Sequence, residues 1–297
     1  MEYRFFSVDA FTKIPFSGNR AGVVLDCYFL KDNQMLDIAK EVNASETAFI
    51  MNLAKNQPIQ IRYFTTSCEV PICGHATIAS FYTLAKQGYI SEGNYKLKTL
   101  AGIKDVEVIK EKDDYLIGLH QDCVEYIKNI NELKKQVCTG LNIDESELLS
   151  DLPITIYTTG NPKAIIPVIS EEVLDKITIN KEKLIALSSL IDCTGFHVIA
   201  LNNNDTYDVA GRMFAPASGI EEDPVTGNSV GPIVQYLLDN ELINGDNIDL
   251  TIKQGQAIEK LGYIKVNAKT NGKKIEHISY YGNATVTIDG RIYLKDK

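Results

Sequence analysis

The sequence lacks the features that mark several broad classes of protein. Its 30 basic side chains are outnumbered by 39 acidic ones, so the formal net charge is −9. A chain without a basic excess is poorly suited to neutralise phosphates, and we expect no nucleic-acid partner. The longest apolar-rich stretch, Val70–Ala85, is interrupted by Gly74, His75, Thr77 and Ser80. It is too short and too polar to span a membrane, so no membrane partner is expected.

Metal-binding and disulfide motifs are also missing. The six cysteines include no C-x-x-C pair, and the four histidines are scattered along the chain. The N-terminus begins with an acidic, strand-like segment, whereas a secretory leader begins with a basic region followed by an apolar run. The sequence therefore predicts a cytoplasmic protein with reduced thiols and no metal site.

An internal repeat organises the 297 residues, a length that suits one large or two medium domains. Arg62–Thr65 recurs as Arg212–Ala215, at an offset of 150 positions. Eleven positions after each arginine comes a short polar turn, Cys73–Thr77 in the first copy and Asp223–Gly227 in the second. Each turn opens an apolar, helix-like stretch. This ordered series of matches predicts that the fold is a duplication.

The pattern of apolar residues predicts two α+β halves. The predicted strands are Tyr3–Ala10, Ile59–Phe64, Val106–Ile109, Thr155–Thr158, Ile264–Val266 and Thr285–Ile288. In each half a helix is expected to start at the Cys73 or Asp223 turn, where free backbone N–H groups suit a carboxylate ligand. Because each half presents one such helix start, we expect the functional site in the cleft between the halves.

Three polar residues are candidates for catalytic chemistry. Glu46 lies among small and apolar neighbours, where burial would make its carboxyl a proton donor or acceptor near neutral pH, although a Glu there could also cap a helix or edge a strand. His75 follows a glycine at a helix start, where the dipole favours the neutral imidazole; helix capping is the alternative. Asp223 before Pro224 is most simply a helix N-cap. The repeat places Asp223 at the point equivalent to Cys73, which favours a role for both in one cleft.

Seven segments are together specific for one protein family. They are Val8–Thr12, Phe16–Asn19, Ser45–Thr47, Arg62–Thr65, Cys73–Thr77, Arg212–Phe214 and Glu222–Gly227. With them the chain resembles, nearly from end to end, the PhzF-like (phenazine biosynthesis) family of the diaminopimelate epimerase superfamily. The resemblance implies an α+β, diaminopimelate epimerase-like fold with two pseudo-symmetric domains, 1–118 plus about 283–297 and 119–282. Each domain would wrap a β-sheet around a central helix, and the chain would form a homodimer.

The same resemblance implies roles for individual residues in a site that needs no cofactor. In the epimerase branch two cysteines, one per half, move the proton, but here Asp223 stands where the second thiol should be. In the PhzF branch a glutamate is the acid/base, and a histidine and an aspartate complete the site. Glu46, His75 and Asp223 are therefore predicted to be catalytic. The residues predicted to bind the substrate are Asn19, Cys73, Gly74, Ala76, Gly227, Asn228 and Ser229.

The predicted function is that of an isomerase that moves a proton within a small carboxylated metabolite. A single base suffices for a shift along one face of the substrate, so Glu46 with polar helpers is enough. Backbone N–H groups near Gly74–Ala76 and Gly227–Ser229 would bind the carboxylate and any developing negative charge. Two alternatives stay open: a non-catalytic protein that binds a ligand or partner with the same cleft, and an epimerase that uses Cys73 with a non-thiol partner.

Overall fold

A computed structural model describes residues 1–53, 57–202 and 206–294. Within those ranges the helices are all too short or too polar to cross a membrane.

The chain divides into two compact units. The first combines Met1–His120 with Tyr281–Lys297, and the second is the continuous segment Gln121–Tyr280. The boundaries predicted from the sequence, after residue 118 and before residue 283, lie two positions from those of the units.

In its described residues, the first unit is mainly β-sheet with two α-helices. Its strands are β1 (Glu2–Ala10), β2 (Asn19–Val24), β3 (Glu46–Ile50), β4 (Ile59–Phe64), β5 (Glu69–Val70), β6 (Gly93–Thr99), β7 (Gly102–Glu111), β8 (Asp114–Gln121) and, from the end of the chain, β18 (Ala284–Tyr293). Its helices are α1 (Asp32–Val42) and α2 (Gly74–Lys86).

The second unit has a similar content of strands and more helices. Its strands are β9 (Glu125–Asn129), β10 (Thr155–Thr158), β11 (Lys163–Val168), β12 (Gly195–Leu201), β13 (Val209–Ala215), β14 (Ile220–Asp223), β15 (Asn247–Gln254), β16 (Gly262–Asn271) and β17 (Lys274–Gly282). Its helices are α3 (Lys134–Leu141), α4 (Glu171–Lys176), α5 (Lys181–Ile191) and α6 (Val230–Asp239). Short 3-10 helices cover Asn131–Leu133, Glu145–Glu147, Pro216–Ser218, Gly227–Ser229 and Gln256–Ile258.

The two units share one strand topology. In the first, β1 pairs antiparallel with β2, β2 parallel with β3, and β3 antiparallel with β4. Strand β4 then pairs antiparallel with β5 and parallel with β6, which pairs antiparallel with β7. In the second unit, β10, β11, β12, β13, β14, β15 and β16 repeat those six pairings in the same order and with the same orientations. The predicted duplication is confirmed by this agreement.

A matched ion pair marks the repeat at the level of side chains. Arg62 donates from Nε and Nη2 to the two carboxylate oxygens of Glu69, at 2.7 and 2.6 Å. Arg212 does the same to Glu222, at 3.0 and 2.6 Å. Each guanidinium also lies over the phenylalanine ring two positions later, 5.2 and 5.0 Å from the ring centre. Such bidentate pairs fix both geometry and charge, so they hold equivalent strands of the two units in equivalent positions.

Strand alternation gives each sheet two different faces. On β4, Phe64 belongs to an apolar cluster with Met35 and Ile38 of α1. The preceding residue, Tyr63, points the other way, and its hydroxyl lies 2.7 Å from Thr77 Oγ1 on α2. Every residue of α2 from His75 to Ala85 is buried, and the helix packs against β1, β2, β3 and β18 of its unit.

The second unit repeats this separation of faces. One of its apolar clusters joins Phe196 of β12 and Phe214 of β13 to Leu184 of α5. Helix α6 packs against β10 and β11, and its residues Val230–Val234 are buried. The predicted α+β organisation, with one central helix in each half, therefore describes both units.

The start of the second central helix differs from the prediction. Cys73 is the N-cap residue of α2, as expected. Asp223 instead is the last residue of β14, where it pairs with Met213, and α6 begins only at Val230. The interpretation of Asp223 as an N-cap before Pro224 was therefore wrong. The physical reason is that the Asp223 backbone pairs with β13, so the helical turn cannot begin until β14 has ended.

Candidate active site

Glu46, His75 and Cys73 meet in the first unit. Glu46 is the first residue of β3, and His75 is the second residue of α2. Glu46 Oε2 lies 3.3 Å from His75 Nε2, and Cys73 Sγ lies 3.4 Å from His75 Nδ1. Ser45 Oγ is also 3.2 Å from His75 Nε2. The imidazole therefore touches a carboxylate and a hydroxyl on one side and a thiol on the other.

The cluster is largely shielded from water but still reachable. The side chains of Glu46 and His75 are 16% and 9% exposed. Within the described part of the chain, Glu46 Oε2 is buried and has no hydrogen-bond partner, because its contact with His75 is not aligned as a hydrogen bond. A buried carboxylate oxygen without a hydrogen bond is costly, and such atoms concentrate where function requires them.

The first turn of α2 surrounds this cluster with backbone donors. The first helical hydrogen bond runs from Thr77 N–H to the Cys73 carbonyl, at 3.0 Å. The N–H groups of Gly74, His75 and Ala76 precede it and have no acceptor within the helix. They carry the positive end of the helix dipole, which suits a carboxylate or a developing oxyanion.

The same three side chains could also hold a metal ion. One ligand atom each from Glu46, Cys73 and His75 lies within 4.8 Å of the other two. Carboxylate, thiolate and imidazole are ligands that zinc accepts. Sequence spacing could not reveal this group, because Glu46 is far from the other two along the chain. The expected absence of a metal stays a prediction.

In the second unit, Asp223 is part of a hydrogen-bond network that orients its carboxylate. The side-chain amide of Gln254 donates to the Asp223 carbonyl at 2.7 Å, and its oxygen accepts from Thr226 N–H at 3.1 Å. These two backbone partners fix which end of the Gln254 amide is nitrogen. That nitrogen also donates to Thr226 Oγ1 at 3.0 Å, so the Thr226 hydroxyl is left to donate to Asp223 Oδ2, at 2.5 Å. Asp223 accepts this bond.

The turn after Asp223 is tightly packed. A Cβ on Gly227 would lie 2.9 Å from the ring of Tyr280, so a larger residue does not fit there without displacing the ring. Asn228 is exposed, and its carbonyl accepts from Gln121 Nε2 at 3.1 Å. Ser229 is fully buried, and within the described residues its hydroxyl has no hydrogen-bond partner.

The structure thus places most of the predicted site residues in two groups. Glu46, Cys73, Gly74, His75 and Ala76 cluster around the start of α2 in the first unit. The second group, in the second unit, comprises Asp223, Gly227, Asn228 and Ser229. Asn19, at the start of β2, is buried in the first unit. That the two groups share one cleft stays a prediction.

Three polar residues near these groups were not predicted from the sequence to belong to the site. Ser45 was noted only as part of a motif, and Thr226 and Gln254 were given no role. Thr226 follows Asp223 at the spacing of a local side-chain hydrogen bond, a signal that could have been used. Gln254 has no local signal, because it reaches the turn from β15.

The first unit also contains a groove of about 400 Å³. Its lining includes Ile38 and Val42 of α1 and Ile288 and Ile292 of β18. None of the predicted site residues lines it, so it is separate from the cluster at the start of α2.

Comparisons with known proteins agree with this arrangement of fold and motifs. The family model for phenazine biosynthesis-like proteins (PhzC-PhzF) matches residues 8–290. An uncharacterised isomerase of Clostridium acetobutylicum is 40% identical over 299 aligned residues, covering 99% of each chain. The uncharacterised isomerase YddE of Escherichia coli K12 is 37% identical, covering 96% of this chain and 97% of its own.

A solved structure gives the same result for the fold. The Bacillus anthracis phenazine biosynthesis protein of the PhzF family superposes with a TM-score of 0.90 at 28% identity, covering 99% of this chain and all of its own. The predicted α+β, diaminopimelate epimerase-like fold is confirmed, as is the expectation of an enzyme of the isomerase class. The chain belongs to the PhzC-PhzF family of phenazine biosynthesis-like proteins.

Proposed function

We propose that this protein is a cofactor-independent isomerase that shifts a proton along one face of a small carboxylated metabolite. The observation that carries the proposal is the contact of a buried Glu46 carboxylate oxygen with His75 Nε2, 3.3 Å apart, at the start of α2. One carboxylate in that setting can both accept and return a proton.

Glu46 is the proposed base. Its carboxylate takes a proton from a carbon next to a carbonyl or a double bond, and the C–H electron pair enters the adjacent π-system. The double bond then migrates, and the Glu46 carboxylic acid returns the proton to the far carbon of that system. Glu46 is regenerated as the carboxylate, and the product is a positional isomer of the substrate.

The other residues of the proposed site stabilise negative charge and orient the substrate. His75 contacts Glu46 through Nε2 and can donate a hydrogen bond to the substrate. The first-turn N–H groups of Gly74 and Ala76 stabilise the substrate carboxylate and the charge that develops on the π-system. Asp223, held by Thr226, accepts a hydrogen bond from a polar substrate group. Asn19, Cys73, Gly227, Asn228 and Ser229 complete the proposed binding surface.

A specific contact favours one alternative. Cys73 Sγ lies 3.4 Å from His75 Nδ1, an arrangement in which the imidazole could take the thiol proton. Cys73 would then serve as the base of an epimerase, with a non-thiol group on the opposite face. The other alternative, a ligand- or partner-binding protein without catalysis, predicts no proton exchange at all.

A screen in heavy water tests the proposal. Purified protein is incubated with cyclic and acyclic carboxylated metabolites, and enzyme-dependent deuterium incorporation is followed by mass spectrometry and NMR. We expect label at one face of one substrate class, together with a positional isomer. Inversion at a single carbon would favour the epimerase. Absence of exchange in all substrates, with ligand binding retained, would favour the binding protein.

A further inference from the structure

Lys163 is one of the largest fully buried side chains of the second unit. It is the first residue of β11 and is 2% exposed. Its ammonium donates to the Asn161 carbonyl at 3.4 Å and to Thr194 Oγ1 at 3.3 Å, both long bonds to neutral groups. A buried cation is costly unless an anion faces it. The proposed function assigns Lys163 no role.

The strand register places Lys163 and Asp223 on one face of a sheet. Lys163 pairs with Gly195 of β12, and His197 lies two residues further along that strand on the same face. His197 pairs with Met213 of β13, and Met213 pairs with Asp223 of β14. Because paired residues in adjacent strands share a face, the Lys163 side chain and the Asp223 carboxylate lie on the same side of these four strands.

Gly195 makes room for the lysine. A Cβ at this position would lie 3.0 Å from Lys163 Cδ and 3.3 Å from Lys163 Cε. The aliphatic stem of Lys163 therefore crosses β12 where that strand has no side chain. On the far side lie Met213, whose sulfur would be 3.1 Å from the same Cβ, and beyond it Asp223.

The duplication relates the Lys163–Gly195 pair to a pair in the first unit that contains Glu46. In the first unit Ala21 of β2 pairs with Glu46 of β3, and in the second unit Lys163 pairs with Gly195 at the equivalent step of the ladder. The two pairs are equivalent because the residue that follows each of them pairs with an equivalent phenylalanine. Thr47, after Glu46, pairs with Phe64, and Phe196, after Gly195, pairs with Phe214.

In the first unit the charged residue of the pair is on β3 and the small one on β2. In the second unit the charged residue is on β11, the equivalent of β2, and the small one is on β12. The Lys163 stem thus passes close to Gly195, the backbone position that is equivalent to Glu46.

Asp223 is a carboxylate on the same face of the sheet as Lys163, with Met213 between them. The titratable groups that act on the lysine are Cys193 and Asp223, and His197 lies on the same face. Burial raises the pKa of Cys193, whose sulfur donates to the Gly195 carbonyl at 3.2 Å, so it is a neutral thiol. Burial, with Lys163 as a second cause, lowers the pKa of His197 to about 3, so it is neutral as well.

We propose that Lys163 is a positioning residue, the cationic counterpart of Glu46 in the second unit, whose buried ammonium keeps Asp223 an anion that accepts hydrogen bonds. The inference deepens the proposed function, on which it rests for the role of Asp223. It agrees with the Thr226 hydroxyl, which donates to the same carboxylate. Burial lowers the pKa of Lys163 to about 8, and Cys193 and then Asp223 partly oppose that shift. The electrostatic effect is reciprocal, so Lys163 favours the ionised form of Asp223.

The test is an NMR titration that needs no substrate. Asp side-chain carboxyl carbons are followed between pH 2 and pH 8 in ¹³C-labelled protein, and Asp223 is assigned by its loss in Asp223→Asn. We expect the Asp223 midpoint to rise by about one pH unit or more in Lys163→Met, which keeps the shape but removes the charge. The control Lys183→Met, at an exposed lysine of α5, should leave the midpoint unchanged.

A reciprocal measurement protects the test against misfolding of Lys163→Met. The Lys163 ammonium is titrated by ¹⁵N NMR in the native protein and in Asp223→Asn. Its midpoint should fall in the variant, because the anion that stabilises the cation has been removed. Midpoints that do not move in either direction would overturn the inference. Failure to find a substrate would bear on the proposed function alone, since neither titration depends on turnover.

Discussion

His75 Nε2 lies 3.3 Å from Glu46 Oε2, although the two residues come from different elements of the first unit. The contact sets a strand end against a helix start, where the backbone donors of α2 favour negative charge. The proposed base therefore lies beside an imidazole and close to free backbone N–H groups.

Replacement of Glu46 by glutamine should abolish proton transfer. The amide keeps the shape of the side chain but cannot exchange a proton, so we expect turnover and deuterium exchange to fall by about 10²–10⁴-fold. Ligand affinity and the thermal midpoint should change little. Glu132→Gln, at an exposed glutamate, is the matched control. Near-normal exchange by Glu46→Gln would contradict the mechanism.

Alkylation separates the role of Cys73 from that of Glu46. Cys68 and Cys123 are exposed and would react first, so both are replaced by serine before treatment with iodoacetamide. In that background, Cys73→Ala should retain exchange activity at saturating substrate, with a raised KM because one binding contact is lost, and should be insensitive to the reagent. An activity that disappears with the Cys73 thiol would identify the epimerase alternative.

Removal of metal ions should leave the activity intact. Glu46, Cys73 and His75 could bind zinc, and a bound ion would occupy the base. We therefore expect dialysis against a chelator to leave exchange unchanged, and added zinc to inhibit it. Stoichiometric zinc in the purified protein, with loss of activity on its removal, would contradict this prediction.

The two equivalent arginine pairs should differ in their contribution to stability. Arg212 and Glu222 have side chains that are each 7% exposed, whereas those of Arg62 and Glu69 are each 20% exposed. Arg212→Met leaves a more deeply buried carboxylate without its partner, which we expect to cost about 3–5 kcal/mol. Arg62→Met should cost less. Urea unfolding of both variants measures the loss in the free energy of unfolding. Equal losses would show that burial does not determine how much each pair contributes to stability.

Stability should depend on pH through His197. Its pKa falls from 6.5 to about 3 on folding, because burial disfavours the imidazolium. The stability that this group contributes is thus complete above pH 6.5 and is lost as the pH falls toward 3, by about 1.4 kcal/mol per pH unit. His197→Gln should flatten that slope between pH 6 and pH 4. His277→Gln, at an exposed histidine, should not.

Sequence reasoning succeeded where the signal was local or repeated. Ile59–Phe64 and Thr155–Thr158 have the predicted bounds, and Cys73 caps its helix. The repeat was visible because both copies keep an arginine that forms the same ion pair. These features depend on neighbouring residues, which a single sequence displays directly.

The errors and omissions involve contacts between distant strands. Asp223 followed by Pro224 has the pattern of an N-cap, yet pairing with Met213 holds it in β14. Lys163 begins an otherwise apolar strand, a place where lysine is usually exposed. Only the absence of a side chain at Gly195, in the adjacent strand, allows the lysine to be buried.

The pairing of β1 with β18 has a consequence for synthesis of the protein. Residues from Glu2 to Ala10 find their partners between Ala284 and Tyr293, at the opposite end of the chain. The second unit is one continuous segment, so its strands leave the ribosome one after another without interruption. During translation, synthesis of the first unit therefore begins before that of the second but is completed after it. Strand β1 cannot pair with β18 until Ala284–Tyr293 have been made.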